Sequence, residues 1–173
     1  MLFRSTRIDE ECRLPEPMVL LEICQGLVDY DAATGVVTLA HSSVRAYITS
    51  SHTREGDIAW FSYDIPGIHA DIANKCLLYL LLEHFQDGCC TDDELEKKFE
   101  DYPLLRYASQ YWPLHARLAD REARYETSAM VFCLSHKKPG GGNFSFWVQC
   151  LMPHTSRDTI TASQPLYYAS SFG

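Results

Sequence analysis

The sequence predicts a mainly α-helical chain with one small β-ribbon near its N-terminal end. Apolar residues recur at intervals of three and four over residues 68–80 and again over residues 104–112, the spacing of a helix with one buried face. Before them, residues 36–40 alternate and are β-branched, as a half-buried strand is. The length of 173 residues allows one or two small domains. We therefore expect a ribbon followed by an α-helical bundle.

The ribbon runs directly into a helix. Residues 31–35 have turn composition, and Gly35 tolerates a positive φ there. His41 ends the strand, and Ser42 or Ser43 is the predicted N-cap of the next helix. With an apolar helix over residues 18–28 in front, the order helix, ribbon, helix predicts a winged-helix-like module over residues 18–50.

These residues resemble the winged-helix module of fungal NACHT proteins of the STAND class. The pattern of that module is L-x-x-C-x-G-L-V followed by V-x-L-x-H-x-S-V-x-x-Y-L. Ile48 stands here where the family usually has leucine. By analogy a helix before Met18 is absent, so we expect an incomplete module, a winged-helix remnant. The matching positions are Leu21, Cys24, Gly26, Leu27, Val28, Val37, Leu39, His41, Ser43, Val44, Tyr47 and Ile48.

The resemblance continues towards the C-terminal end. Residues 69–80 are similar to the family's H-x-x-I-A-x-x-C-L-x-Y-L helix, and residues 102–115 to its Y-P-L-L-x-Y-A-x-x-x-W-x-x-H element. Residues 163–173 resemble the opening of an ankyrin repeat, T-P-L-H-x-A-x-x-x-G. A complete repeat has about 33 residues and needs neighbours. We therefore expect a fragment or a truncated gene product that ends in an ankyrin-like helix.

The resemblance implies a role for His41. In NACHT switches, a histidine at the end of the ribbon contacts the β-phosphate of bound ADP and holds the closed state. A charge-assisted bond of this kind contributes about 1.5–3 kcal/mol. The alternative is a structural histidine that bonds a ribbon carbonyl. The chain itself is expected to hold no cofactor and no metal; ADP, ATP or GTP would bind the upstream NACHT domain of a full-length parent.

The function implied by the resemblance is that of a non-catalytic relay segment. It would couple the nucleotide state of the NACHT domain to recognition of a protein partner by ankyrin repeats, in fungal signal transduction linked to non-self recognition and programmed cell death. The alternative is a standalone protein–protein interaction module with no nucleotide role. A Gly-x-x-x-x-Gly-Lys-Ser/Thr segment encoded upstream would separate the two. No motif supports an enzyme, and His41-Ser42-Ser43 lacks the Gly-x-Ser-x-Gly elbow of a hydrolase.

The remaining segments are assigned by composition and helix signals. Residues 1–17 are a polar N-terminal segment, 51–67 a connector with a short strand near 58–63, 68–152 a helical array, and 153–162 a polar linker. Thr91 and Glu94 form a capping box. Pro113 should kink or break its helix, and Asn143 should cap another. Apolar surface exposed at the ends of a fragment would favour self-association.

Charge and cysteine usage bear on partners and compartment. A net charge of −8 and a second winged-helix helix with Arg45 as its one cation argue against nucleic acid. Seven cysteines without a C-x-x-C pair favour a reduced, cytoplasmic protein, and no apolar run is long enough for a membrane span.

Residue spacing disfavours two further candidate sites. His84, Cys89 and Cys90 lack a second pair at zinc spacing. Residues 137–143 place the lysines before the glycines, the reverse of a P-loop, and predict a loop.

Overall fold

A computed structural model describes residues 18–120, 131, 134 and 141–163. It is mainly helical with one two-stranded antiparallel sheet, so the predicted fold class is confirmed. The described residues fall into two compact units: an N-terminal unit that ends at Ile65 and a helical unit that starts at Pro66. The predicted ankyrin-like segment, apart from Ser163, and the N-terminal segment 1–17 lie outside the described residues.

The N-terminal unit is a short helix, a β-hairpin and two further short helices. Its strands pair from Val28 opposite Leu39 to Asp31 opposite Val36. The last helix and the turn after it belong to the same compact unit as the hairpin. Its elements are α1 (Met18–Cys24), β1 (Val28–Asp31), β2 (Val36–Leu39), α2 (Ser42–Ile48) and α3 (Ser51–Glu55).

The strand predicted near residues 58–63 is wrong. Residues Ala59–Phe61 form one turn of 3₁₀ helix instead, closed by the Ser62 hydroxyl, which donates to the carbonyl of Ala59 at 2.7 Å. A strand needs a neighbour for its backbone groups, and both strands of the sheet in the described part of the chain belong to the hairpin. The turn leaves Trp60 87% and Phe61 61% exposed.

Five α-helices of the helical unit have both of their ends within the described residues. Pro66 lies in the first turn of the first of them, where its missing N–H costs nothing. Thr91 and Glu94 form the predicted capping box, with both reciprocal bonds present. The helices are α4 (Ile65–Leu80), α5 (Asp92–Asp101), α6 (Leu105–Leu118), α7 (Gly142–Leu151) and α8 (Arg157–Ala162).

The core of this unit is built around α7, on which every residue from Gly142 to Cys150 is buried. The rings of Phe85 and Phe146 stack with centroids 4.8 Å apart, and Trp112 lies 5.5 Å from Trp147. α7 is buried on all of its faces up to Cys150, and it contacts both α6 and α8.

Pro113 does not break its helix, since α6 continues from Leu105 to Leu118. Proline has no N–H for the carbonyl of residue i−4, which here is Ser109. The indole N–H of Trp147 donates to that carbonyl at 3.0 Å. A tertiary hydrogen bond thus replaces the helical one, and the helix passes through the proline.

Asn143 is not the predicted cap. Gly141, at φ 92°, precedes the first residue of α7, and a Cβ there would lie 1.9 Å from the Ser145 hydroxyl oxygen. The side-chain amide of Asn143 instead donates to the carbonyls of Leu80 and Leu82, at 2.9 and 3.0 Å. It thereby satisfies backbone acceptors at the C-terminal end of α4.

The polar segment 153–162 is not a linker throughout. Its second half forms α8, whose N-cap Ser156 accepts from the backbone N–H of Thr159 at 3.3 Å. Ile160 is 1% exposed and belongs to the core of the helical unit. The helix packs against α7 through this buried side. Among the described residues, no helix has both the length and the apolar character needed to cross a bilayer.

Candidate functional site

The predicted site residue, His41, lies between the hairpin and α2. The turn before it is fixed locally: the carboxylate of Asp31 accepts from the Ala33 N–H at 2.9 Å and from the Thr34 hydroxyl at 2.7 Å. The Thr34 bond, followed by the Ala33 bond, lowers the pKa of Asp31. Gly35 closes the turn at φ 69°. Short-range bonds therefore set the hairpin that presents His41.

His41 itself is the N-cap of α2, in place of the predicted Ser42 or Ser43. Its backbone is extended, at φ −150° and ψ 148°, and Nδ1 accepts from the Ser43 N–H at 3.1 Å. The Ser43 hydroxyl lies 2.8 Å from the same nitrogen. The imidazole nitrogen does here what a serine oxygen does at most N-caps, satisfying one of the orphan donors of the first turn.

This bond also fixes the chemistry of the ring. A neutral imidazole whose Nδ1 accepts carries its proton on Nε2. The side chain of His41 is exposed, so Nε2–H is a donor on the surface of the N-terminal unit. The structural alternative, a bond from His41 to a ribbon carbonyl, is not the arrangement found, since the hydrogen bonds of the ring run to Ser43 on α2.

Around this junction the N-terminal unit buries little. Thr53 is the one fully buried residue among its described members, and its hydroxyl donates to the carbonyl of Tyr47. Large apolar side chains stay exposed on the same unit. The most exposed are Met18, Ile23, Leu27, Val36, Val37, Tyr47, Trp60, Phe61 and Tyr63.

The disfavoured metal-ligand candidates Cys89 and Cys90 lie in the helical unit. Cys89 and Cys90 line an open groove of about 440 Å³ with His84, Lys98 and other residues. Burial raises the pKa of both thiols. In the described ranges no three histidine, cysteine or carboxylate side chains converge as a metal site would require.

The backbone at this groove is held from α7. The side-chain amide of Gln149 accepts from the Cys90 N–H at 2.9 Å and donates to the Cys90 carbonyl at 2.7 Å. Gln149 therefore pairs with both backbone groups of one residue, Cys90, as a residue of a neighbouring strand would. Lysines 137 and 138, part of the disfavoured phosphate loop, lie outside the described residues.

The structure also joins two histidines that no sequence pattern connects. Nδ1 of His69 on α4 lies 2.8 Å from Nδ1 of His115 on α6, and Nε2 of His115 lies 2.8 Å from the Tyr107 hydroxyl. Burial, and then the neighbouring His69, lower the pKa of His115. Burial likewise raises the pKa of Tyr107. Separated by 46 residues, the two histidines have no shared local pattern that would have shown the pair.

Comparison with known proteins gives one curated relative and no family. The chain is 26% identical over 188 aligned residues to the azaphilone pigments biosynthesis cluster protein L of Monascus ruber. The alignment covers 99% of this chain and 38% of the relative, so the chain spans less than two fifths of that protein's length. No family model and no solved structure matches the chain.

Proposed function

We propose that this chain is a non-catalytic relay segment of a STAND-class NACHT–ankyrin protein, acting in cytoplasmic signal transduction. In this proposal a nucleotide, ADP, ATP or GTP, is bound by an upstream NACHT domain of the full-length parent. The segment passes the nucleotide state on to the part that recognises a protein partner. It has no catalytic residue, binds no metal of its own, and engages neither nucleic acid nor membrane.

The observation that carries the proposal is the state of His41. Nδ1 is engaged with Ser43, so the ring is oriented and Nε2–H is available from an exposed side chain. A donor held in place by a second hydrogen bond loses little conformational freedom when it meets a phosphate. Because His41 is also the N-cap of α2, a phosphate contact at its ring would be coupled to the first turn of that helix.

The exposed apolar side chains of the N-terminal unit support a relay role. A unit with Thr53 as its one fully buried described residue gains stability when a second surface covers those side chains. The relative from Monascus ruber is more than twice the length of the aligned region. A longer parent of this chain would have room for a nucleotide domain that supplies such a surface.

The test is ADP retention by the full-length parent with His41→Asn. Asparagine is a good N-cap, so α2 should keep its helical circular dichroism, while the shorter side chain cannot place a donor where Nε2–H lies. We expect ADP affinity to fall about tenfold or more, the ratio that about 1.5 kcal/mol produces. His52→Asn on exposed α3 is the matched control and should retain ADP as the wild type does. Equal ADP affinity in all three proteins would refute the role of His41.

The alternative is a standalone protein–protein interaction module without a nucleotide. The exposed apolar side chains favour it as well, because they suit a protein partner or self-association. Two measurements separate it from the relay. The first asks whether the transcript encodes a P-loop upstream. The second is light scattering of the chain alone, which asks whether it is a monomer or an assembly. A transcript without the P-loop would leave the interaction module as the function.

A further inference from the structure

We propose that His69 and His115 form an acid-sensitive latch between α4 and α6. The two helices come from distant parts of the chain, and the latch joins them through one hydrogen bond between ring nitrogens, 2.8 Å apart. The inference concerns the helical unit and does not depend on the proposed nucleotide role.

The geometry limits the pair to one proton between the facing nitrogens. A hydrogen bond between Nδ1 and Nδ1 needs one donor and one acceptor. With both rings neutral, one ring donates and the other accepts; with one ring charged, the bond persists. With both rings charged, two N–H groups and two positive charges meet at 2.8 Å, and the bond is replaced by repulsion. The second proton therefore opens the latch.

The Tyr107 hydroxyl keeps His115 in position in either state. It lies 2.8 Å from Nε2 and can donate to that nitrogen or accept from it. A rotating hydroxyl thus follows the tautomer of the ring. His115 is only 9% exposed and cannot exchange this contact for bulk water without moving. The latch is consequently a chain of three groups, Tyr107, His115 and His69.

The surroundings offer little to stabilise a second charge. The titratable groups that interact with Tyr107 are Cys76 on α4 and Tyr111 on α6, and neither is an anion near neutral pH. Burial and His69 are the two causes that lower the pKa of His115 among the described residues. No described carboxylate contributes to that shift of His115.

The sign of the pH dependence follows from linkage. In the unfolded chain each imidazole takes up a proton as the pH falls through about 6.5. The folded pair resists the second proton, so the unfolded state binds more protons in acid. The stability contributed by the pair is present above pH 6.5 or so and is lost as the pH falls below it.

The test is thermal unfolding of the full chain near pH 7.5 and near pH 5, for the wild type and His69→Gln. The amide of glutamine can accept from a protonated His115 or donate to a neutral one, and it does not titrate. We expect the wild-type Tm to fall on acidification by about 4 °C more than that of the variant. His154→Gln, which removes an exposed histidine of the same unit, should behave as the wild type does. Equal acid losses in the wild type and His69→Gln would overturn the latch.

A second measurement follows the pKa of His115 directly. In an NMR titration of the wild type, the ring signals of His115 should report a pKa below the ordinary imidazole value, because burial and the neighbouring His69 disfavour its charged form. In His69→Gln, where no second imidazole faces Nδ1, the pKa of His115 should be less depressed. An ordinary or raised pKa of His115 in the folded wild type would overturn the proposal even if the His69→Gln variant did not fold.

Discussion

The indole of Trp147 donates to the carbonyl of Ser109, the backbone acceptor that Pro113 leaves without a helical partner. The two groups are 38 residues apart in the chain and buried together. One hydrogen bond therefore joins α6 to α7, keeps α6 continuous, and anchors an aromatic ring in the core.

Replacement of Trp147 by Phe should destabilise the helical unit. The ring stays largely apolar, but the carbonyl of Ser109 becomes a buried acceptor without this donor, which costs about 1–3 kcal/mol. Urea unfolding followed by circular dichroism measures the loss. Trp60→Phe, at a ring that is 87% exposed, is the control and should leave stability nearly unchanged.

The same bond can be isolated by a double-mutant cycle. Pro113→Ala supplies the N–H that α6 lacks, so the Ser109 carbonyl gains a helical donor. Trp147→Phe should then cost less in the Pro113→Ala background than in the wild type, by about 0.5–1.5 kcal/mol. Additive costs would show that the indole acts through packing alone.

The site of Asn143 requires a side chain that donates hydrogen bonds. The side-chain nitrogen of Asn143 donates to the carbonyls of both Leu80 and Leu82. Asn143→Asp, of nearly the same shape, replaces the donor by a buried acceptor and should cost more than Asn143→Ala, for which about 1–3 kcal/mol is expected. Urea unfolding ranks the two variants, and Gln110→Ala at an exposed amide is the control. A smaller loss for the aspartate would contradict the donor role.

The capping box of α5 predicts a pH effect on an exposed carboxylate. Glu94 accepts from the Thr91 N–H and hydroxyl at 2.8 and 2.9 Å, and these bonds lower its pKa. The stability that Glu94 contributes is therefore present above its unfolded pKa of about 4.3 and is lost as the pH falls through its folded value.

Thr91→Ala removes the hydroxyl bond and should raise the pKa of Glu94 towards its ordinary value, as followed by NMR. It should also cost about 1 kcal/mol of stability at neutral pH. Glu94→Gln keeps an acceptor that does not titrate and should abolish this part of the acid loss. An unchanged Glu94 titration in Thr91→Ala would show that the hydroxyl bond is not its cause.

Thiol reactivity should follow burial. Burial raises the pKa of Cys150 to about 12, and Cys150 is only 6% exposed. Because the thiolate is the nucleophile, brief alkylation near pH 7.5 should label half-buried Cys89 and Cys90 before Cys150, as read by peptide mass spectrometry. Alkylation in urea should remove the difference. Early labelling of Cys150 in the folded chain would contradict its place in the core.

The features of this protein that could be predicted from sequence alone are local, each formed within a few consecutive residues. The hairpin around Gly35 and the Thr91–Glu94 box were both predicted, because each depends on partners within three or four residues. His41 was placed correctly at the junction of ribbon and helix. The predicted N-cap, Ser42 or Ser43, was wrong, and His41 is the cap. Imidazole is not an ordinary capping group, and its role here depends on the position of Nδ1 relative to the Ser43 N–H.

The tertiary structure alone decided the polar contacts between helices. Trp147 with Ser109, Asn143 with Leu80, and His69 with His115 join residues 38, 63 and 46 positions apart. Each one overrides or adds to a local signal: a proline that should break a helix, an asparagine that should cap one, a histidine with no evident partner. The physical reason is that buried polar groups need hydrogen-bond partners, and these come from the groups that packing places nearby. A local sequence pattern does not specify which distant segments pack together.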